Sequence, residues 1–286
     1  MQEIRNTTAL REVIAGWRER RQRIVLVPTM GHLHDGHLSL VNLARKLGDK
    51  IVVTIFVNPL QFGAAEDFGG YIRNLDDDAA KLRQADVDLL FAPDDTEIYP
   101  HGHDKVTWVE VPELSNILCG KFRPGHFRGV ATVVTKLFNL IQPDAAVFGE
   151  KDYQQLLVIR SLVADLNFPI EIIAAPTVRE QDGLAMSSRN CYLSPAERKL
   201  APALYATLCA ARDEILNGSE DYVSIERMAL ESLRKAGFTP DYFAVRRADD
   251  LGVPAAGDKK LAILVAAWLG KARLIDNLHV TSPSGG

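Results

Sequence analysis

Three of the chain's seven histidines fall within six positions, inside the segment Pro28-Thr29-Met30-Gly31-His32-Leu33-His34-Asp35-Gly36-His37. An imidazole donates a hydrogen bond to a phosphate oxygen whether neutral or charged, and its unperturbed pKa of about 6.5 admits both forms. His34 and His37 stand at i, i+3, so at a helix entrance both rings lie on one side. Two neighbouring motifs are excluded. Gly31 and Gly36 have the glycine spacing of a P-loop, but His37-Leu38 replaces the Lys-Ser/Thr pair, and no G-x-G-x-x-G fingerprint is present. What remains is His-x-Gly-His, a pattern for gripping phosphate at a helix N-terminus, with Gly31 and Gly36 letting backbone approach. The plain alternative, one N-cap histidine and one packed histidine, leaves the glycines unexplained. A zinc site from His32, His34 and His37 lacks an acidic or cysteine cluster to complete it, so no metal ligand is assigned.

A triphosphate attacked at its α-phosphorus accumulates charge on both sides and needs cations. Met186-Ser187-Ser188-Arg189 supplies two hydroxyls and a guanidinium fork, on a loop able to close over a nucleotide. Gly149-Glu150-Lys151-Asp152-Tyr153-Gln154-Gln155 opens another helix. There Lys151 offers a mobile point charge, Asp152 a partner for ribose hydroxyls, and Gln155 an amide. Asn58-Pro59-Leu60-Gln61-Phe62-Gly63 delivers further amides, and paired amides suit a hydroxy acid. Asp76-Asp77-Asp78 reads as a helix start favoured by the dipole, with magnesium binding as its rival reading. Residues 120–128, basic and glycine-rich, read as a lid over anions or as a solvated loop. His101-Gly102-His103 reads as exposed loop.

The elements that must position these groups alternate. Residues 24–27, 51–57, 88–92, 145–148 and 170–174 read as strands, and 106–111 alternates like an edge strand. Residues 38–47, 76–85, 130–141 and 153–166 read as helices. Such alternation predicts an open parallel sheet with helices on both faces, and ligands gather beyond the carboxyl ends of its strands. From 177 to 190 the chain is polar and aperiodic, which predicts a long functional or linking loop. Ser194, Pro195 and Glu197 form a helix-start signature, and one helix is expected to run from there to about residue 216. A helix over 224–235 and strands near 242–246, 261–267 and 273–276 follow, and 282–286 reads as a frayed tail. The fold class is therefore α/β, an open parallel sheet domain over 1–176 with a smaller α+β domain over 177–286.

Composition narrows the class. At 286 residues the chain suits one large domain or two ordinary ones, and 47% hydrophobic with 24% charged residues excludes disorder. A net charge of −4 argues against a nucleic-acid or membrane-surface partner. The apolar stretch 261–269 is too short to span a bilayer, and the N-terminus lacks the layout of a secretion signal. Cys119, Cys191 and Cys209 form no Cys-x-x-Cys pair, which predicts reduced thiols in a cytoplasmic protein.

Four segments, residues 28–40, 56–63, 148–155 and 182–193, together closely resemble the pantothenate synthetase (pantoate–β-alanine ligase) family, in order and over essentially the whole chain. His-x-Gly-His alone points only to the wider nucleotidyltransferase superfamily; Gln61 and the segment 151–155 make the resemblance specific. It implies ATP-dependent condensation of (R)-pantoate with β-alanine through a pantoyl adenylate, releasing AMP and pyrophosphate. It also implies a Rossmann-like parallel sheet in the N-terminal domain with a smaller C-terminal α+β domain, a homodimer, ATP used as substrate with Mg2+, and no tightly bound cofactor. On matching positions it implies that Met30, Gly31, His32, Leu33, His34, Asp35, Gly36 and His37 surround ATP, with His37 the proton donor. Gly149, Glu150, Lys151 and Asp152 then meet ribose and phosphates, Val178 meets adenine, and Met186, Ser187, Ser188 and Arg189 lie along the phosphates. Gln61 and Gln155 bind pantoate, Gln61 lies beside β-alanine, and His34, His37, Lys151 and Arg189 are the catalytic set. His32 stands where the family usually has a small residue, and residues 69–73 lack the usual proline before Arg73. The alternatives are another His-x-Gly-His nucleotidyltransferase, or a non-catalytic ATP-sensing module.

Overall fold

A computed structural model describes residues 1–63, 68–255 and 257–283. The end of the expected tail, residues 284–286, lies outside the described residues. The chain divides into two compact units, one of Met1–Glu150 with Gln155–Pro176, the other of Lys151–Gln154 with Thr177–Gly286.

In chain order the first unit contains β1 (Gln2–Ile4), α1 (Thr7–Glu19), β2 (Ile24–Thr29), α2 (Asp35–Ala44), β3 (Lys50–Ile55), α3 (Leu75–Gln84) and β4 (Leu89–Phe91). Two short helices, α4 (Asp95–Ile98) and α5 (Cys119–Phe122), precede α6 (His126–Ile141), β5 (Ala145–Gly149), α7 (Tyr153–Asp165) and β6 (Glu171–Ala175). The six strands form one sheet in the order β1-β4-β3-β2-β5-β6, every pairing parallel. β2 lies centrally, with Val25 between Ile51 on one side and Ala145 on the other. Ile24, Val25, Leu26 and Val27 are fully buried, which is why the strand is apolar at every position instead of at alternate ones. Val25, Val27, Val53, Leu90 and Val147 share a core with Val41 and Ala44 of α2 and Ala79 and Leu82 of α3. The chain leaves β2 for β3 on one side and returns as β5 on the other. Strand order therefore reverses between β2 and β5, and the crevice beyond their carboxyl ends is where such sheets bind ligands.

The second unit contains α8 (Pro195–Leu200), α9 (Ala203–Leu216), α10 (Tyr222–Lys235) and the antiparallel sheet β7 (Thr239–Arg247), β8 (Lys260–Leu269) and β9 (Ala272–Thr281). Leu204, Leu208 and Ile215 of α9 and Leu233 of α10 bury against Phe243, Val245, Ile263 and Val265 of the sheet.

Four expectations change. The helix expected from 194 to 216 is two helices, because Pro202 has no N–H to continue the ladder. Residues 106–111 join no sheet; the Val109 N–H instead donates to the Thr132 hydroxyl of α6 at 3.1 Å. α2 and α6 begin three and four residues earlier than their apolar periodicity, at His34 and Gly125 caps respectively. β1 and α1 are additional, α1 burying Leu10, Ile14 and Trp17 behind an Asn6 cap.

Candidate active site

The turn after β2 is shaped by two left-handed residues, Gly31 at φ 84° and His32 at φ 53°. A Cβ at Gly31 would stand 3.0 Å from both Asp78 Oδ2 and Ile55 Cγ2, so glycine is required by conformation and by space. Asp78, near the start of α3 and 2% exposed, accepts the His32 N–H on Oδ2 and the Leu33 N–H on Oδ1, each at 2.7 Å. One turn later Lys81 Nζ donates to the Leu33 carbonyl at 2.7 Å. Consecutive amides in such a turn form an anion-binding concavity, and here a carboxylate of the protein fills it. The side chain of Leu33 belongs to the core.

His34 is the N-cap of α2 and His37 sits three residues on. The Gly36 N–H donates to His34 Nδ1 at 3.1 Å, and the His34 N–H donates to His37 Nδ1 at 3.3 Å. This is a capping box built from two imidazoles, where serine and glutamate usually serve. Main-chain N–H groups only donate, so each Nδ1 is an acceptor and each neutral ring carries its proton on Nε2. The ring centroids are 4.1 Å apart at 44°. The i, i+3 spacing thus yields two adjacent imidazoles of one tautomer, and Asp35 favours the helix N-terminus they cap.

Beyond β3, Asn58 caps a short 3₁₀ turn that carries Gln61. Both are buried, Asn58 at 1% and Gln61 at 7% exposure. Asn58 Nδ2 donates to Gln61 Oε1 and to the Gly129 carbonyl, both at 3.1 Å, while Asn58 Oδ1 accepts from Tyr99 at 2.7 Å and from the Leu60 N–H at 3.3 Å. Gln61 Nε2 reaches Met30 Sδ at 2.9 Å, which joins this turn to the one after β2. His126 Nδ1 stands 2.8 Å from the Gln61 carbonyl, so that nitrogen carries the proton and Nε2 faces Arg123 Nη1 at 3.0 Å as acceptor. His126 therefore has the opposite tautomer to His34 and His37. Gly149 ends β5 across the strand reversal, Glu150 opens the 3₁₀ turn Glu150–Asp152, and half-buried Gln155 lies in the first turn of α7.

The second unit holds the other candidates. Lys151 Nζ is 3.9 Å from Asp152 Oδ2, and the Lys151 carbonyl accepts from Asn277 Nδ2 at 2.9 Å. Tyr153 donates to the Ala248 carbonyl at 2.8 Å and stacks edge-on with His279. The loop over 177–190 is pinned, since Arg179 bridges Ala185, pairs with buried Asp276 through contacts of 2.6 and 2.9 Å, and lies 3.8 Å over the Tyr205 ring. The Met186 N–H donates to the Val178 carbonyl at 2.9 Å, so those two candidates are neighbours. Ser187 caps the 3₁₀ turn Ser188–Tyr192, its hydroxyl accepting the Arg189 N–H at 3.2 Å.

Asp78 was read as part of an acidic helix start with magnesium binding as its rival, not as the anchor of the turn after β2, and Tyr99 and the Arg179–Asp276 pair escaped the sequence reading. Their partners lie 45, 41 and 97 positions away, and no local pattern announces such contacts. Of the Asp76–Asp78 run, Asp78 is the one acid that the fold buries.

The family model for pantoate-beta-alanine ligase matches residues 2–279. A pantothenate synthetase of Thioalkalivibrio sulfidiphilus is 54% identical over 286 residues, 100% of both chains. The crystal structure of a pantothenate synthetase from Thermus thermophilus superposes with a TM-score of 0.91 at 47% identity, covering 97% of this chain and 99% of that one. A pantoate-beta-alanine ligase from Francisella tularensis, complexed with beta-gamma ATP and beta-alanine, gives a TM-score of 0.82 at 35% identity, over 100% and 99% of the two chains.

Proposed function

The chain belongs to the pantoate–β-alanine ligase family, and on that premise we propose that it condenses (R)-pantoate with β-alanine at the expense of ATP, yielding pantothenate, AMP and pyrophosphate. The observation that carries this reading is the double-imidazole capping box, which directs two N–H donors of fixed tautomer from the first turn of α2. A carboxylate is a poor acyl donor until its oxygen becomes part of a good leaving group. An oxygen of pantoate attacks the α-phosphorus, the bond to the bridging oxygen of the β-phosphate breaks, and pyrophosphate departs. The β-alanine amine then attacks the acyl carbon, AMP leaves, and the nitrogen loses its proton as the amide forms. No protein nucleophile takes part; the protein positions reactants and stabilises charge.

His34 and His37 donate to phosphate oxygens in this scheme, and Lys151 and Arg189 offset the charge on the departing pyrophosphate. Met30 through His37, Gly149 through Asp152, Val178, and Met186 through Arg189 are assigned to ATP, Gln61 and Gln155 to pantoate, and Gln61 also to β-alanine. Of the two domains, 1–176 without the segment 151–154 binds pantoate and part of the nucleotide, and 177–286 is the smaller domain bearing the phosphate loop, which Lys151 and Asp152 join. Magnesium accompanies ATP as part of the substrate, and both oxygens of Asp78, the rival magnesium ligand of the acidic run, accept from the His32 and Leu33 amides. The enzyme acts as a cytoplasmic homodimer; the free thiols of Cys119, Cys191 and Cys209 support a reducing compartment.

Pantoate-dependent exchange of labelled pyrophosphate into ATP, with β-alanine omitted, tests the scheme. Exchange is the expected result. Strict dependence on the amine would rule out a separate adenylate, and no pyrophosphate release with all three substrates present would leave only a nucleotide-sensing role.

A further inference from the structure

The hydrogen bonds behind Gln61 have a direction, and that direction starts at Tyr99. An amide can be placed either way round, so its orientation has to be read from partners that cannot change roles. Asn58 has two. The Gly129 carbonyl only accepts, which fixes Nδ2 toward it, and the Leu60 N–H only donates, which fixes Oδ1 on the other side. Oδ1 then accepts the Tyr99 hydroxyl proton at 2.7 Å, much the shorter of its two bonds. The second Nδ2 proton goes to Gln61 Oε1. With its oxygen engaged from behind, the Gln61 amide presents its NH2 group forward, on the side of Met30.

Tyr99 is suited to start such a series. It is 2% exposed, lies against Phe56, and carries His103 and Lys136 at its ring. Burial, reinforced by Asp95, raises its hydroxyl far above the ordinary tyrosine value, so the proton is always present to be donated.

We propose that Tyr99 is a positioning residue for the reaction, its hydroxyl acting through the Asn58 amide to hold Gln61 as a hydrogen-bond donor toward the oxygen atoms of the hydroxy acid. The inference rests on the assignment of Gln61 to pantoate. It deepens that assignment by giving Gln61 a polarity: the group it meets must accept. Without the tyrosine hydroxyl, the Asn58 amide keeps the Gly129 and Leu60 bonds but loses its shortest one, so its hold on Gln61 slackens.

Steady-state kinetics of the full chain test this. Tyr99→Phe keeps the ring and removes the donor; its pantoate KM is expected to rise about tenfold, the loss of one buried hydrogen bond, while the ATP KM holds. In a Gln61→Ala background the same substitution is expected to change pantoate KM no further, because residues acting in series are not additive. 4-Aminophenylalanine at position 99, which restores an N–H donor in the same shape, is expected to return the pantoate KM toward wild type. Gln61→Glu, which offers an acceptor in place of the donor, is expected to weaken pantoate binding more than Gln61→Ala, and this arm stands even if Tyr99→Phe folds poorly. An unchanged pantoate KM in Tyr99→Phe, a parallel rise in ATP KM, full additivity with Gln61→Ala, or a Glu variant that binds pantoate as well as the Ala variant would each overturn the proposal. Should Gln61→Ala itself leave the pantoate KM unaltered, the underlying assignment of Gln61 falls, and the relay with it.

Discussion

Each imidazole of the capping box has a structural task at Nδ1 and, in the proposed scheme, a chemical one at Nε2, and substitutions can separate the two. His34→Ala removes an N-cap, which typically costs about 1 kcal/mol, and also a donor aimed at developing charge, typically worth about 2.7–4 kcal/mol of barrier. His34→Asn restores a favoured cap but not the reach of the ring. We expect His34→Ala to lower both the urea midpoint and pyrophosphate exchange, the latter at least about a hundredfold. His34→Asn should recover the midpoint alone, and wild-type exchange in it would remove the ring from the chemistry. His37→Ala and Lys151→Ala should likewise depress exchange while folding is retained. At this scale the sequence revealed the histidines, because their spacing is local. It concealed Asp78 and Tyr99, whose significance depends on which backbone or amide the fold brings to them.

The helix α6 is positioned by the absence of one side chain. A Cβ at Gly129 would meet the Leu60 carbonyl oxygen at 2.3 Å and the Gln61 nitrogen at 2.7 Å, so the helix backbone rests directly on the Asn58–Gln61 turn. Alanine is the better helix former by about 1 kcal/mol, yet those neighbours are backbone and cannot turn aside, so the clash decides the sign. Gly129→Ala is expected to lower the melting temperature and raise the pantoate KM with little effect on the ATP KM; a stabilised variant with unaltered kinetics would show that the turn gives way. Elements with a strong pattern were legible, above all β2 and β3, whose mostly apolar, β-branched runs reflect burial on both faces. Boundaries were less so, because caps such as His34 and Gly125 extend helices beyond their apolar stripe. The alternation read at 106–111 is not matched by burial, and the Thr132 hydroxyl supplies the bond that a partner strand would have supplied.

Stability of the whole molecule should depend on pH through carboxylates held by cations. Burial pushes the Asp144 carboxyl up, but the Arg18 guanidinium and the Ile24 N–H outweigh it and leave the group below its ordinary value. A carboxyl depressed in the folded state stabilises above its unfolded pKa of about 3.9, and the contribution is lost as pH falls through the folded value. Denaturant midpoints should therefore be level near neutrality and decline below about pH 4, with Asp144→Asn flattening part of the decline. Solvent screening of a pair this exposed keeps the effect near about 1 kcal/mol; an identical acid slope in the variant would remove Asp144 as a source. The alternation of strands and helices, then the change to an antiparallel pattern, made the architecture readable, whereas the grouping of residues 151–154 with the later segment was not, since it depends on Asn277, Ala248 and His279. That grouping has a consequence. Lys151 and Arg189 both stand on that one unit, so whatever moves it carries the two cationic positions together.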